Sequence, residues 1–377
     1  MLNLANTPII YITRDIERAI GLDLSTPGYF IISNYKDFAN SAYNNNDNVL
    51  LIKDDYILDT HELLENSKAV EFIEKLETKN CKLLVFKNTL QIERICKKHN
   101  WKLLNPSAEL ANRVENKVSQ LEWLGELKKY LPPTEVKDCK DVEFEDNPFI
   151  LQFNRAHTGL GTYLITTLEQ LKELQQKFSD RPVRVTEYIT GPTLTSNNIV
   201  SKDKILVGNI NYQITGLHPF TDNPFATVGN DWKLPHRLLS EEQKDDFGKM
   251  ATDIGNKLRH DGWKGLFGID VVMDEKSGKL YLIEINARQP ASTSYESELQ
   301  NQSSDLPIFQ SSVTTFQAHL LSLLELNLNK SKIIPISTGA QVVQRVTKAI
   351  PSLPEPKLYK QENFKYIKYN NTKPEAD

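Results

Sequence analysis

Short, almost unbroken apolar runs alternate with amphipathic segments through the first hundred residues. Residues 8–13 (PIIYIT), 28–33 (GYFIIS), 49–53 (VLLIK), 82–86 (KLLVF) and 101–105 (WKLLN) have the character of strands covered on both faces. Residues 62–79 place Leu64, Val70, Phe72, Ile73 and Leu76 at helical spacing, and 89–100 reads as a further helix. Strands alternating with helices predict a parallel sheet with right-handed crossovers over residues 1–105. No G-x-G-x-x-G follows the first strand, so the dinucleotide fingerprint is absent. Arg14 and Asp15 fall at the end of that strand, where they serve either as ligand contacts or as a helix cap.

From residue 106 the pattern changes. Residues 106–127 predict a helix or helix pair, and L-P-P-T-E-V makes the chain extended after it. Residues 148–165 read as strand, glycine-bearing loop and strand, 168–178 as an amphipathic helix, and 181–191 as a strand entering a turn. A strand pair over 195–200 and 205–215 leads into an irregular run rich in Asn, Asp, Pro and aromatics. Loops beyond about a dozen residues tend to be functional, so this run is expected to line a pocket, with His218, Asn230, Asp231 and Trp232 as candidates. Residues 240–262 carry helix signals at both ends: Ser240 as N-cap, Gln243 at the capping-box position and Gly262 as terminator. Residues 313–326 read as a helix, 333–360 as a small β-rich appendage, and the last eight residues as a disordered tail.

The stretch from 262 to 290 concentrates the chemistry. In FGIDVVMD, Phe267, Ile269, Val271 and Met273 share one face, and Gly268, Asp270, Val272 and Asp274 the other. After a glycine turn, LYLIEIN is mostly apolar at Leu280, Leu282, Ile283 and Ile285. Paired as a hairpin, the two strands bring Asp270, Glu284 and Asn286 onto one face. Two carboxylates and an amide oxygen are hard ligands suited to Mg²⁺. A solvated outer face accounts for the same residues, but N-A-R-Q-P then sets an amide, a guanidinium and a proline at a strand end, where open α/β folds bind ligands.

Composition narrows the classes. At 377 residues the chain predicts two or three domains, and a net charge of −4 without a basic stripe excludes a nucleic-acid footprint. Cys81, Cys96 and Cys139 lack metal or disulfide spacing and read as reduced thiols of a cytoplasmic protein. The N-terminus lacks signal-peptide character, and no apolar window is long enough to span a membrane.

G-I-D, followed fourteen residues after its aspartate by E-x-N-x-R, resembles the metal-binding signature of the ATP-grasp ligases. The resemblance, to the carboxylate–amine ligase type and its biotin-carboxylase-like branch, covers about residues 100–325. It implies an α/β fold with an N-terminal parallel-sheet pre-ATP-grasp domain (1–105). An ATP-grasp domain of two α+β subdomains would follow (106–330, divided into 106–185 and 186–330), then a small β-rich C-terminal lobe (331–377). Asp270, Glu284 and Asn286 would hold Mg²⁺, two ions in this family, with Mn²⁺ as a substitute. Arg288 would stand near the transferred phosphate, and Lys117 would reach the phosphates. The loop H-T-G-L-G-T, with Thr158, Gly159 and Gly161, resembles the family's glycine-rich lid. V-T-E-Y-I-T-G resembles its hinge, where the backbone of Thr186, Glu187, Tyr188 and Ile189 would meet adenine. The sequence departs from the pattern at Gln152, where relatives carry a lysine, and at Thr193, where many carry an acid for the ribose; Arg155 or His157 would compensate for the first. His218, Asp231, Ser292 and Tyr295, with Thr293 beside them, are substrate candidates. The activity implied is ADP-forming ligation of a carboxylate to an amine through an acyl phosphate, in a protein that forms a homodimer. The departures at Gln152 and Thr193 keep open a nucleotide-binding protein without ligase activity, and an ATP-grasp kinase is a third reading.

Overall fold

The structure is a computed structural model, in which residues 2–43, 46–77, 80–154, 161–302 and 312–343 are described. The N-terminal unit contains β1 (Ile9–Thr13), β2 (Tyr29–Asn34), α1 (Asp37–Tyr43), β3 (Val49–Ile52), α2 (Thr60–Glu65), α3 (Ser67–Glu77), β4 (Lys82–Val85) and α4 (Leu90–Lys98). Its four strands are parallel, in the order β3-β2-β1-β4, as the alternating pattern predicts. Ile9 to Thr13 are all buried, which explains their lack of polar alternation.

Two details differ from the pattern. The helix expected over 62–79 breaks at Asn66, whose backbone is extended (φ −69°, ψ 131°) and whose Oδ1 accepts from the Lys68 amide at 3.1 Å. A short polar side chain bonding to its own backbone competes with the helix. The fifth strand, 101–105, is reduced to one bridge between Leu83 and Leu103. Beyond it the Asn105 amide group takes over the ladder, donating to Val85 O and accepting from Val85 N–H, and Pro106 has no N–H with which to continue.

Helices α5 (Ala108–Glu115) and α6 (Ser119–Leu124) lead into a four-stranded antiparallel sheet. It contains β5 (Thr134–Asp138), β6 (Phe149–Phe153), β7 (Thr162–Ile165) and β8 (Pro182–Glu187), in the order β5-β8-β6-β7. Helix α7 (Leu168–Phe178) covers one face, where Phe149, Leu151, Phe153, Leu171, Leu174 and Val183 form the core.

The larger sheet holds β9 (Thr193–Val200), β10 (Ile205–Leu206), β11 (Asn211–Thr215) and β12 (Thr227–Asp231). After α8 (Pro235–Leu238) and α9 (Glu241–His260), β13 (Gly265–Met273) and β14 (Leu280–Asn286) complete its main body. The order is β14-β13-β9-β11-β12, with β10 beside β9; the strand expected over 205–215 is thus two short ones. Capping at the start of α9 follows the sequence signals, with Ser240 and Gln243 bonded reciprocally. The remaining elements are α10 (Thr293–Gln302), β15 (Ser312–Val313), α11 (Thr315–Leu323), β16 (Lys332–Ile333) and β17 (Ala340–Val342). Strand β17 pairs antiparallel with β12 at the edge of the large sheet.

Helix α10 was hidden by its composition. Its buried face is Thr293, Ser294, Glu296, Ser297 and Gln300, so no apolar period marks it. Those side chains bond instead: Gln300 Oε1 accepts from Thr315 N–H at 2.7 Å and Ser297 Oγ from Phe316 N–H at 2.9 Å. They satisfy amides that the first turn of α11 would leave open. Phe316, Leu320 and Leu323 of α11 then enter the N-terminal core beside Ile9, Tyr11 and Tyr29.

Candidate functional site

The site lies on one face of the β13–β14 hairpin. Phe267, Ile269, Val271, Leu280, Leu282 and Ile285 point into the main core with Phe247 and Ile254 of α9. Asp270 pairs directly with Glu284, and Gly268 with Asn286, but Val271 pairs with Leu282. Ile283 is therefore an extra residue, a β-bulge. The bulge explains the two adjacent apolar residues in L-Y-L-I-E-I-N, since it shifts the alternation by one. With that shift, Leu282 and Ile285 both face the core while Glu284 and Asn286 face Asp270.

A chain of polar contacts runs across this face. Asp270 accepts from Gln213 Nε2 at 2.9 Å and from Asn286 Nδ2 at 3.2 Å. Asn286 Oδ1 accepts from Arg288 Nη1 at 2.5 Å, and the same nitrogen donates to Glu115 Oε1 at 2.9 Å. Lys87 Nζ, just past β4, reaches Glu115 Oε2 at 2.5 Å. Lys117, in the turn between α5 and α6, pairs with Glu284 Oε1 at 2.8 Å.

Charge and burial shape these groups. Burial, then the charge of Glu284 opposite, pushes the Asp270 carboxyl up to about 6. Burial works the same way on Glu284, but the Lys117 ammonium, with Arg288 and Arg184 behind it, outweighs burial and holds that carboxyl below its usual value. Two facing carboxylates with an amide oxygen beside them form a hard-oxygen set that a divalent cation fits. Among the described residues no group of three or more His, Cys, Asp or Glu is placed to hold a metal ion; the third oxygen on this face is an amide.

Arg184 and Glu115 were missed by pattern reading. Arg184, on β8, is 1% exposed. It donates to Gln120 Oε1 at 3.0 Å, to Ile283 O on the bulge at 2.9 Å and to Thr186 Oγ1 at 3.3 Å. Burial brings its pKa down to about 10, with Glu284 opposing. An arginine alternating with valines reads as solvent-facing, and only tertiary packing reveals that the other sheet covers it. Glu115 carried no signal beyond a lone acid at a helix end.

The other sequence candidates are spread more widely. Gln152 lies opposite Arg184 in the sheet register and donates to Thr162 Oγ1 at 3.2 Å. Thr186 is buried, Glu187 exposed, and Tyr188 and Ile189 intermediate. Thr193, half-buried, opens β9 opposite Val272. Gly161 adopts a left-handed φ of +91°; Thr158 and Gly159, with Arg155 and His157, lie outside the described residues. His218 is exposed, and Asp231 caps the following turn by accepting from the Lys233 and Leu234 amides; neither is brought to the hairpin face. Asn230 does lie on that side, pairing with Gln213 and donating to Asn211 Oδ1 at 2.8 Å. Trp232 is fully buried against the ring of Tyr295, whose hydroxyl donates to Ala340 O. Ser292 is buried and bonded to Asn197, and Thr293 donates to Pro290 O. Arg14 and Asp15 pair with Asp59 and Lys36 near the surface.

Two sheets around a hairpin that brings two carboxylates and an amide onto one face form the arrangement of an ATP-grasp fold. Residues 114–292 match the ATP-grasp domain family. Its fold is similar to that of carboxyaminoimidazole ribonucleotide synthase from Aspergillus clavatus complexed with ATP, at TM-score 0.60 and 16% identity, covering 89% of this chain and 82% of that one. N5-carboxyaminoimidazole synthetase from Staphylococcus aureus gives 0.61 at 14% identity, covering 90% and 84%. L-amino acid ligase from Bacillus licheniformis gives 0.55 at 14%, covering 78% and 71%. No curated protein sequence matches the chain. Among the described residues no helix is long and apolar enough to cross a membrane.

Proposed function

We propose that this protein is an ADP-forming ligase acting in the cytoplasm, which uses ATP and Mg²⁺ to join a carboxylate to an amine. The observation that carries the reading is the convergence of Asp270, Glu284 and Asn286 on one face beside Lys117 and Arg288, inside an ATP-grasp domain. Asp270, Glu284 and Asn286 would hold Mg²⁺, which would supply positive charge to neutralise the phosphates.

The carboxylate substrate attacks the γ-phosphorus of ATP, forming an acyl phosphate and releasing ADP. The amine then attacks the acyl carbon, phosphate leaves, and the amine gives up a proton. Little covalent work falls to the protein, so its part is positioning and charge stabilisation. Lys117 neutralises phosphate charge from its buried position against Glu284, and Arg288 meets the charge that develops on the transferred group.

A thermal-shift titration with ATP and ADP, each with and without Mg²⁺, tests the nucleotide part, because a ligand that binds only the native state raises its apparent stability. The expected result is a Mg²⁺-dependent rise with ATP that disappears in Asp270→Asn. Carboxylate- and amine-dependent ADP release then distinguishes a ligase from a kinase, and no shift with either nucleotide removes the reading.

A further inference from the structure

We infer that Glu115 is a positioning residue of this site, which fixes Arg288 for the oxyanion it meets; the inference rests on the ligase reading above. Glu115 is the last residue of α5, and its side chain is 11% exposed. An acid at a helix C-terminus faces the negative end of the helix dipole, and its burial adds a desolvation cost. The helix therefore does not account for it. What stabilises it is a pair of cations from two other elements: Lys87 Nζ on Oε2 at 2.5 Å and Arg288 Nη1 on Oε1 at 2.9 Å.

The geometry gives this carboxylate a task. Arg288 is long, and an untethered arginine samples many rotamers. Glu115 and Asn286 both engage Nη1, which leaves the Nη2 and Nε donors for a substrate oxyanion. Asn286 is also a proposed metal ligand, so a cation at Asp270 and Glu284 draws on the oxygen that now accepts from Arg288. Glu115 is then the tether that keeps the guanidinium beside the phosphoryl group, and Lys87 anchors that tether to the N-terminal unit. Glu115 acts through Arg288, the partner its Oε1 holds.

The test is calorimetry of the full chain with Mg²⁺·ADP, followed by inorganic phosphate as a probe for the transferred group. Glu115→Gln keeps the shape and removes the charge; Glu115→Asp keeps the charge, safeguarding the fold, and shortens the reach. Both are expected to weaken phosphate binding in the presence of Mg²⁺·ADP by at least about tenfold, one such factor corresponding to about 1.4 kcal/mol. Arg288→Lys should do the same, and the double variant Glu115→Gln/Arg288→Lys should lose no more than about twofold beyond Arg288→Lys, because residues acting as a unit are non-additive. Phosphate affinity at the wild-type level in both Glu115 variants, or losses that multiply in the double variant, overturns the positioning role while the nucleotide reading stands. A wild-type protein that takes no Mg²⁺·ADP overturns both.

Discussion

The Lys117 ammonium and the Glu284 carboxylate meet at 2.8 Å, joining the turn between two helices to the bulged strand of the hairpin. The lysine side chain is 9% exposed and the glutamate's is 40%, so the two ends of the pair differ in access to water. Glu284→Gln strands the buried ammonium. Breaking a buried pair costs about 3–5 kcal/mol, but exposure of Glu284 screens this one, and about 1–2 kcal/mol is expected. Lys117→Met in the same background should recover most of that loss. Urea midpoints of the wild type, single and double variants check it, and a double variant no more stable than Glu284→Gln would show that the lysine needs no counter-charge.

Arg184 holds the bulge carbonyl of Ile283 and the Gln120 amide together. Arg184→Met leaves the buried Gln120 amide oxygen and the half-buried Ile283 carbonyl without that donor, at about 1–3 kcal/mol for each unsatisfied group. The urea midpoint should fall accordingly. Arg184→Lys, which keeps the charge but not the forked geometry, should recover only part of it.

Burial of Glu296, set against amide donors from Asn209 and Asn197, raises its carboxyl from 4.5 to about 7. An acid raised by folding favours the native state below its unfolded value and loses that advantage as pH climbs through its folded value. Stability should therefore decline between about pH 4.5 and pH 7 and then level, by up to about 3 kcal/mol from this group. Glu296→Gln should flatten that decline, which melting curves across the range will reveal. A slope that survives the substitution would assign it to other groups.

Gly191 adopts φ +155° where the chain turns from β8 into β9, and a Cβ there would sit 1.8 Å from Met273 O. Both the backbone conformation and the contact resist any side chain, so Gly191→Ala should cost about 2–4 kcal/mol. Reduced melting temperature with retained Mg²⁺-dependent nucleotide binding is the expected pair of readings.

The apolar runs revealed the N-terminal parallel sheet because strands covered on both faces need nothing else. Asp270, Glu284 and Asn286 were legible because period two sets Glu284 and Asn286 on one face and hairpin pairing brings Asp270 opposite them. Three parts were not. Arg184 looked solvated because strand alternation says which side a residue faces, not what covers that side. Helix α10 was invisible because hydroxyls and amides, rather than aliphatic groups, pack its buried face. The single bridge at Leu103 replaced an expected strand because a side-chain amide substituted for backbone pairing, which hydrophobicity does not register.

Helix α11 lies beyond the stretch that matches the ATP-grasp family, yet its Phe316 stacks on Tyr11, whose hydroxyl donates to Gln289 within that stretch. The matched span and the body that folds are therefore different objects. A fragment trimmed to residues 114–292 would be cut through a shared interior and would present raw apolar surface on the side where β1 and α11 now seal it. The span that matches the family is thus one portion of a body whose packing draws on residues before and after it.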